Sequence, residues 1–426
     1  MIWAGVIGLV LALFAGAPLF AVLMGAAMLG FLAADIDLAI VAIEVYRIVD
    51  TPLLVALPLF TYAGYLLAEA RTSERLVNLV QSLFGALPSG LAMVGFVACA
   101  VFTALTGASG VTIVALGALL LPAMVKAGYD ERFSLGLVTT SGSLGLLLVP
   151  SVPLILYGVV AQQLNVGEPF TIFQLFQAGI LPTLTMLALL IGWTLWRHRG
   201  GAVPRTPFSW RRLGQACVAA RWELPLPVVV LGGIYSGIVA VSEAAALTAV
   251  YVTIAEVVLY REIPWRKVPK VMVESMVMVG GILLVLGVAL AFTNFLVDAQ
   301  VPQALFEFIQ THIDSAIGFL LLLNVLLLVL GAMLDIFSAL VIVVPLILPV
   351  AVGYGIHPVH LGIIFLANMQ IGYFTPPVGM NLFIASYRFK RPLQDLYAAS
   401  WPFMLVLLVA LALITYVPWL SLAFMP

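Results

Sequence analysis

The sequence predicts an all-α polytopic membrane protein, built as an inverted repeat with two re-entrant helical hairpins and two broken helices. Three observations support this prediction. Only 9% of the 426 residues are charged and 64% are hydrophobic, whereas soluble domains carry about 25% charged residues. Apolar segments of the roughly 20 residues needed to cross a bilayer recur along the chain. One pattern of prolines and glycines also occurs twice.

The repeated pattern is a proline, two glycines and a second proline at nearly constant spacing. Its two copies are Pro122, Gly128, Gly136 and Pro150, and Pro349, Gly355, Gly362 and Pro376. The steps are 6, 8 and 14 residues in the first copy and 6, 7 and 14 in the second. Matching helix interruptions in the two halves of a membrane protein indicate a binding site between those halves.

Full crossings are predicted wherever a long apolar run carries few charges. They fall near residues 3–30, 52–70, 134–161, 172–196, 223–241, 244–260, 272–297, 360–386 and 397–420. The first half is expected at residues 1–196 and the second half at 223–426. Residues 197–222 are expected to link the halves through an amphipathic piece with one apolar side, formed by Trp210, Leu213, Val218 and Trp222.

Two further apolar runs are too long for one crossing and are divided by small or polar residues. The run near 90–125 is divided at Thr106–Gly110, and the run near 316–352 at Leu334–Ser338. Each arm has about 14–18 residues, which is short for a full crossing at the helical rise per residue. These lengths predict re-entrant hairpins, whose polar tips are tolerated at membrane depth only inside protein or beside water.

Basic residues predict the orientation, because loops rich in Lys and Arg stay in the cytoplasm. They cluster within 71–75, 126–132, 197–221 (which includes Arg205), 261–270 and 388–391. The loop with the acidic residues Asp35, Asp37, Glu44 and Asp50 then lies outside. The linker is therefore predicted to be cytoplasmic, and the two hairpins are predicted to enter the membrane from opposite sides, as in an inverted repeat.

The first hairpin tip, from Thr106 through Gly107, Ala108 and Ser109 to Thr112, carries candidate binding residues. Its small residues allow a ligand to approach closely. Ser109 and Thr112 offer hydroxyl oxygens. The N-terminus of the outgoing half-helix favours a carboxylate, and the C-terminal carbonyls of the incoming half favour a cation. The alternative interpretation is a seam of small residues for helix packing.

The two predicted helix breaks carry further candidate ligands. The first runs from Gly142 and Ser143 to Pro150 and Ser151. Its prolines free backbone carbonyls, and in hydrocarbon a sodium ion would satisfy them; a simple proline kink is the alternative. The second break contains two adjacent prolines, two glycines and two asparagines, a combination that is hard to explain as packing; its candidates are Asn368, Gly372, Thr375, Pro376 and Asn381.

Two acidic residues at predicted helix starts have competing interpretations. Asp335 lies at the tip of the second hairpin, and an intramembrane carboxylate is by default a functional-site hypothesis. In the functional interpretation, Asp335 neutralises a sodium ion or takes a proton. In the competing interpretation, it caps the outgoing half-helix. Glu243, which follows Ser242 before an alanine run, is interpreted as a capping residue.

The sequence disfavours several function classes. It contains no Gly-rich phosphate loop followed by Lys-Ser/Thr, which argues against a primary ATP-driven pump. The formal net charge of −1 without a basic block argues against nucleic acid as a partner. No Ser/His/Asp arrangement, nucleophile elbow or paired metal ligands stand out, so neither an enzyme nor a resident cofactor is expected.

The chain also resembles the large membrane subunit of the tripartite ATP-independent periplasmic (TRAP) transporters, the DctM-like family. The matching segments are in order and extend across nearly the whole chain. They are FTALTGAS at 102–109, PAMVKAGYD at 122–130, SGSLG at 141–145, GIYSG at 233–237, SEAAA at 242–246 and IGYFTPPVGMNLF at 371–383.

This resemblance implies a sodium-coupled secondary transporter of small organic anions, working by an elevator-type mechanism in the bacterial cytoplasmic (inner) membrane. It implies two partners, a small four-helix membrane subunit expected as a separate polypeptide and a soluble periplasmic substrate-binding protein. The implied substrate-binding residues are Thr106, Gly107, Ala108, Ser109, Pro150, Ser151, Asp335, Thr375, Pro376 and Asn381. The implied ligands of the coupling sodium ions are Ser109, Thr112, Gly142, Ser143, Asp335, Asn368, Gly372 and Thr375.

The sequence departs from the family pattern at both tips. Ala108 precedes Ser109 where two neighbouring serines are usual, which removes one hydroxyl from the expected sodium shell. Asp335-Ile336 replaces the common Glu-Pro of the second tip. Two alternative functions remain: a stand-alone sodium/dicarboxylate symporter of related architecture, and, in a different class, an ion channel or proton-conducting subunit that uses Asp335.

Overall fold

The fold is that of a computed structural model of the chain. The structure describes residues 2–47, 51–199, 207–236 and 238–425, and within those ranges the regular secondary structure is helical, without a strand. Three residues that entered the sequence predictions, Asp50, Arg205 and Gly237, lie outside the described residues.

The first half of the chain forms helices α1 to α11. They are α1 (Ile2–Phe14), α2 (Leu19–Ala33), α3 (Ala39–Arg47), α4 (Ala56–Glu69), α5 (Thr72–Phe84), α6 (Gly90–Thr106), α7 (Ser109–Lys126), α8 (Glu131–Ser141), α9 (Val152–Gln163), α10 (Ile172–Ala178) and α11 (Ile180–Arg197). Short 3₁₀ turns precede α4 at Pro52–Val55 and follow α8 at Leu144–Leu147.

The rest of the chain forms helices α12 to α22. They are α12 (Trp210–Ala219), α13 (Pro225–Tyr235), α14 (Val241–Thr253), α15 (Val268–Asp298), α16 (Val301–His312), α17 (Ala316–Met333), α18 (Ile336–Gly353), α19 (Pro358–Gly372), α20 (Met380–Phe389), α21 (Leu393–Tyr416) and α22 (Trp419–Leu422). A π-helical segment, Ile254–Leu259, extends α14.

The helix lengths and the outer surface identify a multi-pass membrane protein. Within the described residues, seven helices are long and apolar enough to cross a membrane, or up to nine if each of two bent pairs is one span. Large apolar side chains point outward along these helices, including Val277 at 71% exposure and Ile317 at 68%. In water such an extended apolar surface would drive association, whereas in a bilayer it faces lipid.

The predicted single crossing near 3–30 is wrong, because two antiparallel helices replace it. Helix α1 ends before Gly16, whose φ of 85° lies in the left-handed region that glycine adopts readily. Pro18 then occupies the N-cap of α2. Gly5 packs against Leu29, so the two helices lie side by side. With 13 and 15 residues, each is shorter than the roughly 20 residues of a crossing.

Helices α3, α5 and α16 were missed by the search for crossings because they are amphipathic rather than uniformly apolar. Helix α5 is an example: its buried face includes Leu76 and Val80, and its axis is bent by 77° from the preceding span Leu53–Glu69. The bend means that α5 cannot continue that span and instead turns along the side of the molecule.

The first predicted hairpin corresponds to α6 and α7. Helix α6 ends at Thr106 and α7 begins at Ser109, and Gly107 between them has a φ of 68°. The hydroxyl groups of Thr103 and Thr112, on opposite arms, lie 2.7 Å apart. This pairing across the turn shows that the arms run antiparallel at the tip.

The second predicted hairpin corresponds to α17 and α18, which are separated only by Leu334 and Asp335. Its arms lie against different neighbours: α17 packs along α19, and α18 packs against α9, α15 and α16. The close approach of α17 to α19 depends on Gly331 and Gly372, because a Cβ atom on Gly372 would lie 2.6 Å from the Gly331 backbone.

Both predicted broken helices are interrupted in the structure. The segment Glu131–Leu147 is bent by 43° from α9, and residues 373–379 separate α19 from α20. The interruptions include the cis peptide bonds Val149–Pro150 and Pro376–Pro377. Each hairpin contacts the broken helix of the other half, since α7 packs against α20 and α18 packs against α9. The inverted relationship of the halves and the domain limits stay predictions.

Candidate substrate and ion site

A cavity of about 560 Å³ lies where the two hairpin tips meet the second helix break. The first tip contributes residues 107–111, the second contributes Ile336 and Phe337, and the break contributes Tyr373. Helices α4 and α15 close the opposite wall. The volume falls within the roughly 300–1,000 Å³ range of small-ligand pockets.

The first tip presents the N-terminus of α7 to the cavity. Gly107, Ala108 and Ser109 line the wall, and α7 begins at Ser109. The first amide groups of a helix lack intrahelical acceptors and carry partial positive charge. This wall is therefore suited to a carboxylate or a similar anion.

The second tip is stabilised by hydrogen bonds between the Asp335 carboxylate and the first residues of α18. One carboxylate oxygen of Asp335 accepts hydrogen bonds from the amides of Phe337 and Ser338, each at 3.0 Å. The Ser338 hydroxyl donates to the other carboxylate oxygen. Asp335 thus caps α18, as the second of its two interpretations proposed, and it stands behind the cavity wall rather than in it.

The second break holds both tips. The Tyr373 hydroxyl accepts a hydrogen bond from the amide of Ile336 at 2.8 Å. On the other side, the Ser109 hydroxyl donates to the side-chain oxygen Oδ1 of Asn381 at 2.9 Å. The backbone amide of Asn381 donates to the carbonyl oxygen of Tyr373 at 2.8 Å. Asn381 is completely buried, so it positions the first tip from behind.

The structure brings together the four predicted ion ligands of the first half. They are connected through Thr103, which was not among the predicted ligands. The Thr103 hydroxyl lies 2.7 Å from the Thr112 hydroxyl and donates to the Gly142 carbonyl at 2.8 Å. A Cβ atom on Gly142 would lie 3.2 Å from the Ser109 carbonyl oxygen. Ser143 follows and donates to the Gln370 carbonyl at 3.1 Å. Sequence reasoning missed Thr103, although its hydroxyl one helical turn before the tip was a visible signal.

Apart from Asp335, the remaining predicted ion ligands lie along α19 and just after its C-terminal end. Asn368 donates through Nδ2 to Asn324 Oδ1 at 2.6 Å, while its own Oδ1 is buried and has no hydrogen-bond partner among the described residues. Thr375 donates to the carbonyl of Ile371 at 2.9 Å. Gly372 lies between them against Gly331. The free Asn368 oxygen is an acceptor that a cation would satisfy.

Other predicted substrate ligands stand outside the cavity wall. The Ser151 hydroxyl donates to the Leu146 carbonyl at 2.5 Å, and the Thr106 hydroxyl to the Phe102 carbonyl at 2.9 Å. Pro150 and Ser151 are buried and Pro376 is exposed. These residues shape the tip and the breaks in this conformation.

The wall formed by α4 and α15 was not predicted from the sequence, because these helices have no break or polar motif. It contributes Tyr65, Glu69, Glu274 and Met278. Glu69 pairs with Lys267, and Glu274 lies 3.7 Å from the ammonium of Lys270. Among the described lining residues there are two carboxylates and no Lys or Arg, so an anion would be held by helix amides rather than by a basic side chain.

Comparisons with known proteins identify relatives over the whole chain. The family model described as "Tripartite ATP-independent periplasmic transporter, DctM component" matches residues 6–420. The chain is 37% identical to the C4-dicarboxylate TRAP transporter large permease protein DctM of Rhodobacter capsulatus, over 98% of this chain and 97% of that protein. It is 34% identical to the isethionate TRAP transporter permease protein DctMQ of Oleidesulfovibrio alaskensis, over 95% of this chain and 63% of that protein.

Solved structures share the fold at low sequence identity. The YdaH transporter of Alcanivorax borkumensis has a TM-score of 0.59 and 19% identity, with 89% of each chain covered. MtrF of Neisseria gonorrhoeae has a TM-score of 0.57 and 13% identity, over 85% of this chain and 79% of that chain. The family match over residues 6–420 and the 37% identity to the Rhodobacter capsulatus protein show that the chain belongs to the DctM family, the large permease component of TRAP transporters, a transport family rather than an enzyme family.

Proposed function

We propose that the chain is the membrane translocation subunit of a sodium-coupled secondary transporter that imports a small organic anion. The observation that carries this proposal is the cavity of about 560 Å³ enclosed by both hairpin tips and the second break. The names of two relatives, a C4-dicarboxylate permease and an isethionate permease, support a small anion as the cargo.

The substrate carboxylate is proposed to dock at the N-terminus of α7. Gly107 leaves the backbone accessible, and Ala108 and Ser109 complete this wall. The other predicted substrate ligands, which are outside the cavity lining, are proposed to fix the shape of the tips and breaks. Because the opposite wall carries Glu69 and Glu274, an anion in the cavity needs compensating positive charge.

Sodium ions are proposed to supply that charge at two groups of oxygen atoms. The first group consists of Ser109, Thr112, Gly142 and Ser143, with Thr103 as an added member. The second contains Asn368, Gly372 and Thr375, and the unpaired buried Oδ1 of Asn368 supports a cation there. Asp335 would contribute through its negative charge while it caps α18.

Transport is proposed to follow an elevator-type mechanism. Sodium orders the tips, the anion docks, and a block of α6–α9 and α17–α20 moves against the remaining helices. A half-loaded site leaves an uncompensated charge in a low-dielectric environment, so only the empty or the fully loaded block crosses.

Two protein partners are proposed from the family description, which names a tripartite system. They are a small four-helix membrane subunit and a periplasmic protein that delivers the substrate. The relative named DctMQ, of which this chain covers 63%, supports a membrane partner. We propose the bacterial inner membrane as the location of the assembly.

The proposal is tested by reconstituting the purified chain in liposomes, alone and with the candidate partners. An inward sodium gradient should drive saturable uptake of a radiolabelled C4-dicarboxylate or isethionate only when the partners are present. Equal uptake by the chain alone would instead establish the stand-alone symporter. Steady current without saturation by any organic solute would establish a channel.

A further inference from the structure

Helices α5 and α12 together form a platform beside the membrane spans. Helix α5 is bent by 77° from the span that precedes it, so it lies nearly perpendicular to that span. Helix α12 packs against α5. Both belong to the face where the sequence predicts the basic, cytoplasmic loops. A helix in this orientation lies at the level of the lipid headgroups.

A polar cleft of about 360 Å³ separates the two helices of this platform. Its polar lining comes from both sides, with Asn78, Gln81 and Ser82 on α5 and Arg212 and Gln215 on α12. A guanidinium group and three side-chain amides supply many hydrogen-bond donors. The described lining contains no carboxylate, so the cleft is suited to an anion.

The positive charge of the cleft has no ion-pair partner among the residues that the structure describes. The ion pairs among the described residues include neither Arg211 nor Arg212. Arg212 lines the cleft, whereas Arg211 is outside its lining. A planar guanidinium group matches the geometry of phosphate oxygens.

The same two helices also expose apolar side chains outside the cleft lining. Trp210 is 78% exposed, Val218 64% and Leu83 45%. Trp210 and Val218 are two turns apart on α12 and share one face, and Leu213 between them is turned inward and half-buried. A basic polar face beside an exposed aromatic and aliphatic face is typical of helices that bind anionic membrane surfaces.

We propose that the cleft between α5 and α12 binds the phosphate-bearing headgroup of an anionic phospholipid from the cytoplasmic leaflet. Arg212 contacts the phosphate, the amides of Asn78, Gln81 and Gln215 donate to its oxygens, and the acyl chains pass over Leu83 and Val218. The exposed apolar side chains on these two helices favour a lipid over free phosphate as the occupant. The proposal does not depend on the transported substrate.

The test measures lipid binding to the purified full-length chain in detergent by native mass spectrometry. Phosphatidylglycerol is titrated against wild type, Arg212→Gln and the matched control Arg211→Gln, which removes the same charge one residue away. Arg212→Gln should weaken phosphatidylglycerol binding about fivefold, while Arg211→Gln should leave it within about twofold. Gln215→Ala, which keeps every charge, should also weaken binding.

Three results would overturn the proposal. Equal weakening by Arg211→Gln and Arg212→Gln would mean diffuse attraction to the whole basic face. Equal binding of phosphatidylcholine would remove the requirement for an anionic headgroup. Displacement of the lipid by millimolar inorganic phosphate would make free phosphate the occupant.

Discussion

The Tyr373 hydroxyl accepts a hydrogen bond from the amide of Ile336 at 2.8 Å, and this contact joins the second helix break to the second hairpin tip. The same break reaches the first tip through Asn381, which accepts a hydrogen bond from Ser109. Since Asn381 and Tyr373 are themselves hydrogen-bonded, one short segment connects both tips. Order at one tip is thereby linked to order at the other.

Replacing Tyr373 with Phe should weaken sodium activation of uptake. The change leaves the buried Ile336 amide without its acceptor, at a cost of about 1–3 kcal/mol, which corresponds to roughly a tenfold rise in the half-saturating sodium concentration. Sodium-dependent uptake in proteoliposomes measures this. Tyr157→Phe is the matched control, because it deletes another buried hydroxyl, bonded to the Pro358 carbonyl, outside the cavity. If both variants lost sodium activation to a similar extent, the loss would be due to general destabilisation and not to the contact between Tyr373 and Ile336.

Replacing Ser109 with Ala should reduce the sodium dependence of uptake while the protein stays folded. The variant loses a hydroxyl of the proposed first ion group and its hydrogen bond to Asn381, so the half-saturating sodium concentration should rise about threefold to tenfold. Thr375→Ala should act similarly through the second group. Ser386→Ala, whose hydroxyl donates to the Arg391 carbonyl at the surface, serves as the control. Unchanged sodium activation in both test variants would remove Ser109 and Thr375 from the proposed ion groups.

The sequence predicted the interrupted elements better than their surroundings. The divisions at Thr106–Gly110 and Leu334–Ser338 match the ends of α6 and α17, because glycine and a capping Asp act locally on the backbone. The wall of Tyr65, Glu69 and Glu274 was not predictable in this way. Those residues reach the cavity only through the packing of α4 against α15, and no local pattern records that contact.

The pair of N-terminal helices α1 and α2 was predicted wrongly, as a single crossing, although the sequence contained a local signal for the turn between them. A run of apolar residues near 3–30 satisfied the length criterion for one crossing, although Gly16 and Pro18 divide it. Mean hydropathy is an average over the whole segment, so it does not register the two residues, Gly16 and Pro18, at which the chain reverses direction. The glycine and proline signals that located the predicted helix breaks elsewhere in the chain were also present here.

Replacing Gly372 with Ala should impair both stability and transport. A Cβ atom there would lie 2.6 Å from the Gly331 backbone, so α17 and α19 must separate, at a cost of about 1–3 kcal/mol. Thermal unfolding in detergent, together with uptake, measures the effect. Gly192→Ala is the control, because nothing lies within 4 Å of that position and alanine favours the helix by about 1 kcal/mol. Equal melting temperatures for the two variants would contradict the tight contact.

Acidification should destabilise the chain partly through His357, which lies just before α19. Its Nε2 is 3.4 Å from Glu168, and its Nδ1 accepts a hydrogen bond from the Val359 amide. Burial lowers the pKa of His357 below its ordinary 6.5, and Glu168 only partly opposes this shift. The folded state therefore favours the neutral ring, whose stabilising contribution is present above pH 6.5 and is lost as the pH falls through the lowered pKa.

The variant His357→Asn isolates this contribution, because asparagine still caps a helix but does not titrate in this range. The decrease in melting temperature between pH 8 and pH 5 should be smaller for His357→Asn than for wild type. Glu168→Gln should have the reverse effect: without the carboxylate the pKa of His357 falls further, so acidification costs more stability. Identical pH profiles for wild type and His357→Asn would show that protonation of this histidine is not coupled to folding.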